Sequence, residues 1–168
     1  MMKNLYIVFL FFVISGCKIS LNGASIPPAM KTVNVTIFEN NAQLVVASLS
    51  TQFTEELKTR IRNQTRLSIT PNDAHAIFSG NIIGYDIRPE AIQDNNNPQN
   101  LAGATRLTIR VNVKYVNNLD PTKSFEEPFE RYKVFRITGN LQAQETAVIK
   151  DVTAQLTEDI FNRAFAQW

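Results

Sequence analysis

One cysteine, one histidine and adjacent carboxylates such as Glu55-Glu56 and Glu126-Glu127 are the residues of this 168-residue chain whose types could do covalent or proton-transfer chemistry. Cys17 stands in Ser15-Gly16-Cys17-Lys18, and His75 in Asp73-Ala74-His75, beside a turn. A Ser-His-Asp triad would have to use His75, yet no serine sits in a Gly-x-Ser-x-Gly elbow. A membrane-tethered hydrolase would rest on that histidine alone. A single histidine and a single cysteine cannot build an imidazole- or thiolate-rich metal centre. Glu55-Glu56 is placed on a helix, where neighbours do not share a face; Glu126-Glu127 is placed on a strand, where neighbours point to opposite sides. Both pairs read as solvated charges rather than acid–base dyads. No Gly-rich phosphate loop follows a strand. The residues argue against an enzyme and call for no metal or other cofactor.

The surroundings of Cys17 suggest another chemistry. Met1 to Asn4 carries one basic residue, Lys3, and Leu5 to Ile14 is an unbroken apolar run of ten residues. A membrane-spanning helix needs about 20 residues. A basic start, a short apolar stretch and small residues before a cut make a secretory signal. Ile14-Ser15-Gly16-Cys17 also resembles the lipobox of bacterial lipoproteins. That resemblance implies a diacylglyceryl group on the Cys17 sulfur, cleavage before Cys17 and acylation of the new amino group. A secreted chain normally uses cysteines in pairs, so a lone one fits an anchor better than a bridge. Each buried acyl CH₂ contributes about 0.8 kcal/mol, and two or three chains hold where one holds marginally. Residues 1–16 are therefore expected to be a lipoprotein signal peptide, and residues 17–30 a lipidated tether.

What remains after residues 1–16 is 152 residues, enough for one domain that buries roughly 70% of its unfolded surface. The formal net charge is +2, less one when Lys3 is removed. This balance gives no reason to expect nucleic-acid binding.

The domain, residues 31–168, reads as β-α-β-β-β-β-α. Lys31 to Phe38 alternates, with Val33, Val35 and Ile37 on one face. Residues 42–63 repeat apolar side chains every three or four positions: Val45 or Val46, Leu49, Phe53, Leu57 and Ile61. Arg66 to Thr70 is a short strand. Ala76 to Arg88 is a longer one whose alternation slips near Gly84, as at a bulge. Pro89 to Gly103 is a polar loop containing the Asn-rich stretch 94–100. Thr105 to Val116 alternates most clearly, and Phe125 to Thr138, irregular at Pro128, is its expected antiparallel neighbour. Leu141 to Phe165 closes the chain as a helix striped by Val148 or Ile149, Val152, Leu156, Ile160 and Ala164, with Trp168 thickening its end. The expected fold is α+β: a two-layer sandwich with two helices on one face of a mostly antiparallel sheet of about four to five strands.

That packing leaves one sheet face polar. Arg110 and Lys114 lie on it; Arg131 and Lys133 lie on the neighbouring strand and share a face with each other, with Arg136 on the opposite one. An ordinary solvated surface accounts for such residues. The sharper reading is a contact for anionic lipid groups or a partner, since phosphates favour clustered guanidinium and ammonium donors.

Taken with the lipobox, the stretches GASIP, KTVNVTIFEN, LSTQFTEELKTRIRNQTRL, TRLTIRVNVKY and TEDIFNRAFAQW resemble the LptE family, in its form from the Bacteroidota, over about residues 17–168. The resemblance implies a small sandwich of two helices against a sheet and no catalysis. It implies an outer-membrane lipoprotein facing the periplasm, held to the inner leaflet by its lipid, that plugs the LptD β-barrel, assists its assembly and supports lipopolysaccharide delivery to the outer leaflet. Only Cys17 transfers as a matched functional residue. Lys18-Ile19-Ser20, which lacks the acidic residues that direct some lipoproteins of that phylum to the cell surface, favours the periplasmic orientation. The alternative is a structural adaptor in another envelope-assembly machine. Cys17→Ser is expected to leave an uncleaved precursor that takes up no radiolabelled palmitate; processing and labelling of that variant would overturn the lipobox reading.

Overall fold

Leu107, Ile109, Val111, Val113 and Tyr115 occupy every second position of one strand and are all buried, and the sheet is built around them. A computed structural model describes residues 26–90 and 104–166. Its strands are β1 (Thr32–Val35), β2 (Glu39–Asn40), β3 (Ser68–Ile69), β4 (Ala76–Pro89), β5 (Ala104–Asn117) and β6 (Phe125–Arg136). Helix α1 (Leu49–Gln64) lies between β2 and β3, and α2 (Leu141–Phe165) follows β6. The sheet order is β3-β1-β4-β5-β6, with β2 also paired to β4.

The sheet is mixed, which corrects the expectation of a mostly antiparallel one. β4, β5 and β6 are antiparallel neighbours, whereas β1 pairs parallel with both β3 and β4, and β2 pairs parallel with β4. The cause is the crossover through α1, which returns the chain to start β3 at the same end as β1. The described strands number six rather than four or five, because the chain leaves β1 and rejoins the sheet as the two-residue β2, too short to show a period.

That break also corrects the face assigned to Ile37. β1 stops at Val35, and the Thr36 backbone N–H and hydroxyl both donate to the Phe78 carbonyl, at 2.9 and 3.2 Å. The alternation is reset. Ile37 turns outward and Phe38 is buried, its ring meeting Phe53 edge-on at 5.0 Å. The Phe38 backbone is held from α1: its N–H donates to the Thr54 hydroxyl at 3.1 Å, and its carbonyl accepts from the Ser50 hydroxyl at 2.6 Å.

Helix α1 begins seven residues later than its apolar pattern predicts. Asn40 explains the delay: its side-chain oxygen accepts from the Ala42 N–H at 3.1 Å and its amide donates to the Val46 carbonyl at 3.2 Å. This local competitor draws residues 40–46 into a closed loop. The helix then buries Leu49, Phe53, Leu57 and Ile61 as one stripe, each side chain contributing about 1.5–3 kcal/mol.

Helix α2 has the predicted bounds and opens on Asn140, whose side chain accepts from the Gln142 N–H. It buries Val148, Ile149, Val152, Leu156, Ile160, Phe161, Ala164 and Phe165 on the sheet; Trp168 lies outside the described residues. Its first turns are tied down by the buried Tyr85, whose hydroxyl donates to the Glu145 carboxylate. Burial, reinforced by that carboxylate, raises the Tyr85 phenol far above its ordinary range. Between the helices, Arg60 donates to the Ala154 carbonyl at 2.8 Å and to the Thr157 hydroxyl at 3.2 Å. Tyr115 stacks with Phe78, Phe125 and Phe165 at centroid distances of 4.7 to 5.9 Å, and burial pushes its phenol up to about 12.

The slip expected near Gly84 is a bulge. Ile82 pairs with Val111 and Gly84 with Arg110, so Ile83 has no partner. One inserted residue flips every later side chain: Ala76, Phe78 and Ile82 face the helices before it, Tyr85 and Ile87 after it. Gly80 makes a second demand. Its φ is +153°, and a Cβ there would lie 2.1 Å from the Asn112 carbonyl oxygen and 2.8 Å from a Phe38 ring carbon. Gly80→Ala is therefore expected to destabilise the domain by about 2–4 kcal/mol, the size of an overpacked core position with backbone strain. Urea unfolding followed by circular dichroism would measure it, and an unchanged midpoint would contradict this account.

Candidate functional site

β6 is an edge strand with two unlike faces. Partners in an antiparallel pair share a face, and the register sets Arg110 opposite Glu130 and Lys114 opposite Glu126. The same register sets Arg131 opposite Ile109 and Lys133 opposite Leu107, both core residues. The four basic residues singled out above are thus divided. Arg110 and Lys114 lie on the open face, and Arg131 and Lys133 lie under the edge of α2. Arg136, opposite Ala104, falls on the open side, away from Arg131 and Lys133 as the parity predicts.

Each of the four meets a carboxylate. On the open face Arg110 reaches Glu130 at 2.6 Å and Lys114 reaches Glu126 at 3.5 Å. On the helix side Arg131 grips Asp159 through two bonds of 2.5 and 2.8 Å, and Lys133 pairs with Asp151. The Asp159 carboxylate raises the Arg131 guanidinium above its ordinary value. Arg163 of α2 closes the seam, 2.8 Å from Glu127 with its guanidinium 4.4 Å above the Phe125 ring. Exposed pairs of this kind contribute about 0.2–1 kcal/mol each. Their larger effect is on the edge itself: charged side chains pointing under α2, with Pro128 in the same strand, discourage another chain from pairing along β6.

At the far end of the open face Arg106 binds Glu90 at 2.5 Å and lies 4.1 Å over the Tyr132 ring. Arg88 pairs with Asp86. The open face is therefore a lattice of internal ion pairs. Sequence reasoning missed Arg106, and it missed the partners Asp151 and Asp159. The signal was present in Arg131 and Lys133, charges on the side of β6 that also shows Phe125, Phe129 and Phe135.

The remaining candidates fall out as follows. The His75 Nδ1 accepts the Lys31 N–H at 3.0 Å and the Thr32 N–H at 3.4 Å, and the His75 N–H donates to the Thr32 hydroxyl at 3.1 Å. Its ring braces β1 against β4. Glu55 pairs with Lys58 at 2.8 Å, and that hydrogen bond holds its carboxyl below the usual range. Glu126 and Glu127 do face opposite ways, to Lys114 and Arg163. Among the described residues, no three His, Cys, Asp or Glu side chains gather as a metal-holding set. A cavity of about 130 Å³ lies between Pro27, Met30, Tyr115 and Phe165, small against the roughly 300–1,000 Å³ of small-molecule sites. Cys17 and the Asn-rich stretch 94–100 lie outside the described residues.

Solved structures share this architecture. An uncharacterized lipoprotein B from Nitrosomonas europaea is 15% identical with a TM-score of 0.55, over 87% of this chain and 88% of its own. A hypothetical protein from Chlamydia trachomatis is 11% identical with a TM-score of 0.56, over 79% and 94%. A minor lipoprotein from Acinetobacter baumannii is 11% identical with a TM-score of 0.51, over 80% and 91%. The fold is thus one that bacterial lipoproteins use. No curated protein matches the sequence. The family model LptE, described as lipopolysaccharide-assembly, matches residues 30–164, and the chain belongs to that family.

Reversing Arg110 or Lys114 to glutamate would set like charges directly across from Glu130 and Glu126. The neutral pair Arg110→Gln and Lys114→Gln is expected to cost under about 1 kcal/mol per site. Weakened retention of an anionic glycolipid in a pull-down, with the fold intact, would support the anion-contact reading, and unchanged retention would reject it.

Proposed function

We propose that this chain is an outer-membrane lipoprotein, acylated at Cys17 and facing the periplasm, that seats in an LptD-type β-barrel as plug and assembly partner and supports insertion of lipopolysaccharide into the outer leaflet. The observation that carries the reading is the extent of the family match. Residues 30–164 take in all six described strands and α2 up to Ala164, so the whole sandwich, not one motif, is of the lipopolysaccharide-assembly type.

The physical character of the domain agrees with such a role. A plug must hold its shape and must not add strands to its surroundings. A dry core between the helices and the sheet supports the first property, and the ion-paired edge of β6 supports the second. No helix among the described residues is long and apolar enough to cross a membrane; acyl chains on Cys17 would supply attachment through buried CH₂ groups. The role asks the chain for no bond-making step.

The test is affinity purification of the full-length protein from detergent-solubilised outer membranes, with identification of what co-purifies. An LptD-type β-barrel in near-stoichiometric amount is the expected result. Recovery with a different envelope complex and no such barrel would favour an adaptor role, and acyl-free protein without companions would overturn the proposal.

A further inference from the structure

Four large apolar side chains stand exposed around one loop. Ile37, Leu44 and Val45 are 69%, 57% and 67% exposed, and all three lie on the connection from β1 to α1. Ile83, at the β4 bulge, is 40% exposed and lies beside that connection, since the Asn41 N–H donates to the Ile82 carbonyl at 2.9 Å. Elsewhere Leu44 and Val45 would be expected to fold in. Here the Asn40 side chain closes residues 40–46 into a loop with both at its tip, and Ser50 and Thr54 pin the neighbouring Phe38 backbone. The loop is held in shape while its apolar side chains point out. Rigid apolar anchors of this kind lose little conformational freedom on binding.

The charges around it indicate what it meets. Residues 36–48 hold one charged side chain, Glu39, and no lysine or arginine. Segments that settle on anionic bilayers are rich in cations, and this one has none. Its place in the fold points the same way. The chain enters the sheet at Lys31, whose N–H lies on His75 at the start of β4, and the loop departs beyond Ile82. Six or seven residues of strand separate the two, about 20 Å. The loop thus lies at the end of the sheet opposite the point where the chain enters it.

We infer that the Leu44-Val45 loop, with Ile37 beside it, is the docking tip of this domain, and that it seats in an apolar recess of the β-barrel partner. The inference rests on the reading under Proposed function and adds the contact surface. Leu119, 45% exposed in the turn after β5 at the tether end, supplies an internal control.

The experiment uses the full-length lipidated protein in its own membranes. A photo-crosslinking amino acid in place of Leu44 is expected to join the β-barrel, and one in place of Leu119 is not. Leu44→Asp together with Val45→Asp is expected to lower co-purified barrel at least tenfold, while the variant keeps its acyl label, outer-membrane fractionation and melting temperature. Undiminished recovery, or crosslinks from position 44 to lipid or to a second copy of this chain, would overturn the inference. A wild-type protein that brings down no barrel defeats the functional reading and the docking tip with it. A barrel recovered equally by wild type and variant defeats the docking tip alone.

Discussion

Strand β5 obliges its neighbours to choose sides. Five consecutive same-face residues, from Leu107 to Tyr115, are buried, and they can be dry only if something covers that face along its length. Both helices are spent on it. The opposite face is then left to water, and its cations find carboxylates one strand away: Arg110 with Glu130, Lys114 with Glu126. Among the described residues, the two-layer form, the division of charge and the absence of a helix from the second face all follow from this alternation.

Register converts that constraint into chemistry. A shift of one residue between β5 and β6 would move Arg131 and Lys133 to the open face and expose Phe125 and Phe129 with them. As built, the phenylalanines are drawn under α2, and the two cations come along because they share parity. Asp151 and Asp159 are what make this tolerable. The same logic runs through the β4 bulge, without which Tyr85 would face water and could not reach Glu145.

Local periodicity carried most of the fold. The bounds of α2, the long alternation of β5 and the slip at Gly84 were legible because each is written in consecutive residues. The parallel pairing of β1 was not, since it depends on where a crossover returns. The early start read for α1 failed for a local reason of another kind: Val45 and Val46 fit the helical period, but the Asn40 side chain competes for the same backbone. For the surfaces, residue types were readable and their grouping was not. Parity within β6 correctly joined Arg131 to Lys133; only the register with β5 shows that neither accompanies Arg110. Arg106 was invisible because its partners, Glu90 and Tyr132, are distant in sequence and united only by the sheet.

The brace formed by His75 has a mechanical corollary. Lys31 is where the N-terminal chain joins the sheet, and its backbone lies between the imidazole on one side and Ser68, whose N–H donates to the Lys31 carbonyl at 2.9 Å, on the other. Traction on that chain is therefore received at once by β3 and β4 and directed along β1, so the parallel ladders share the load in shear instead of yielding one bond at a time. The joint behaves as a strain relief: tension entering at one edge of the domain is spread across three strands before it can disturb the packing beneath α1.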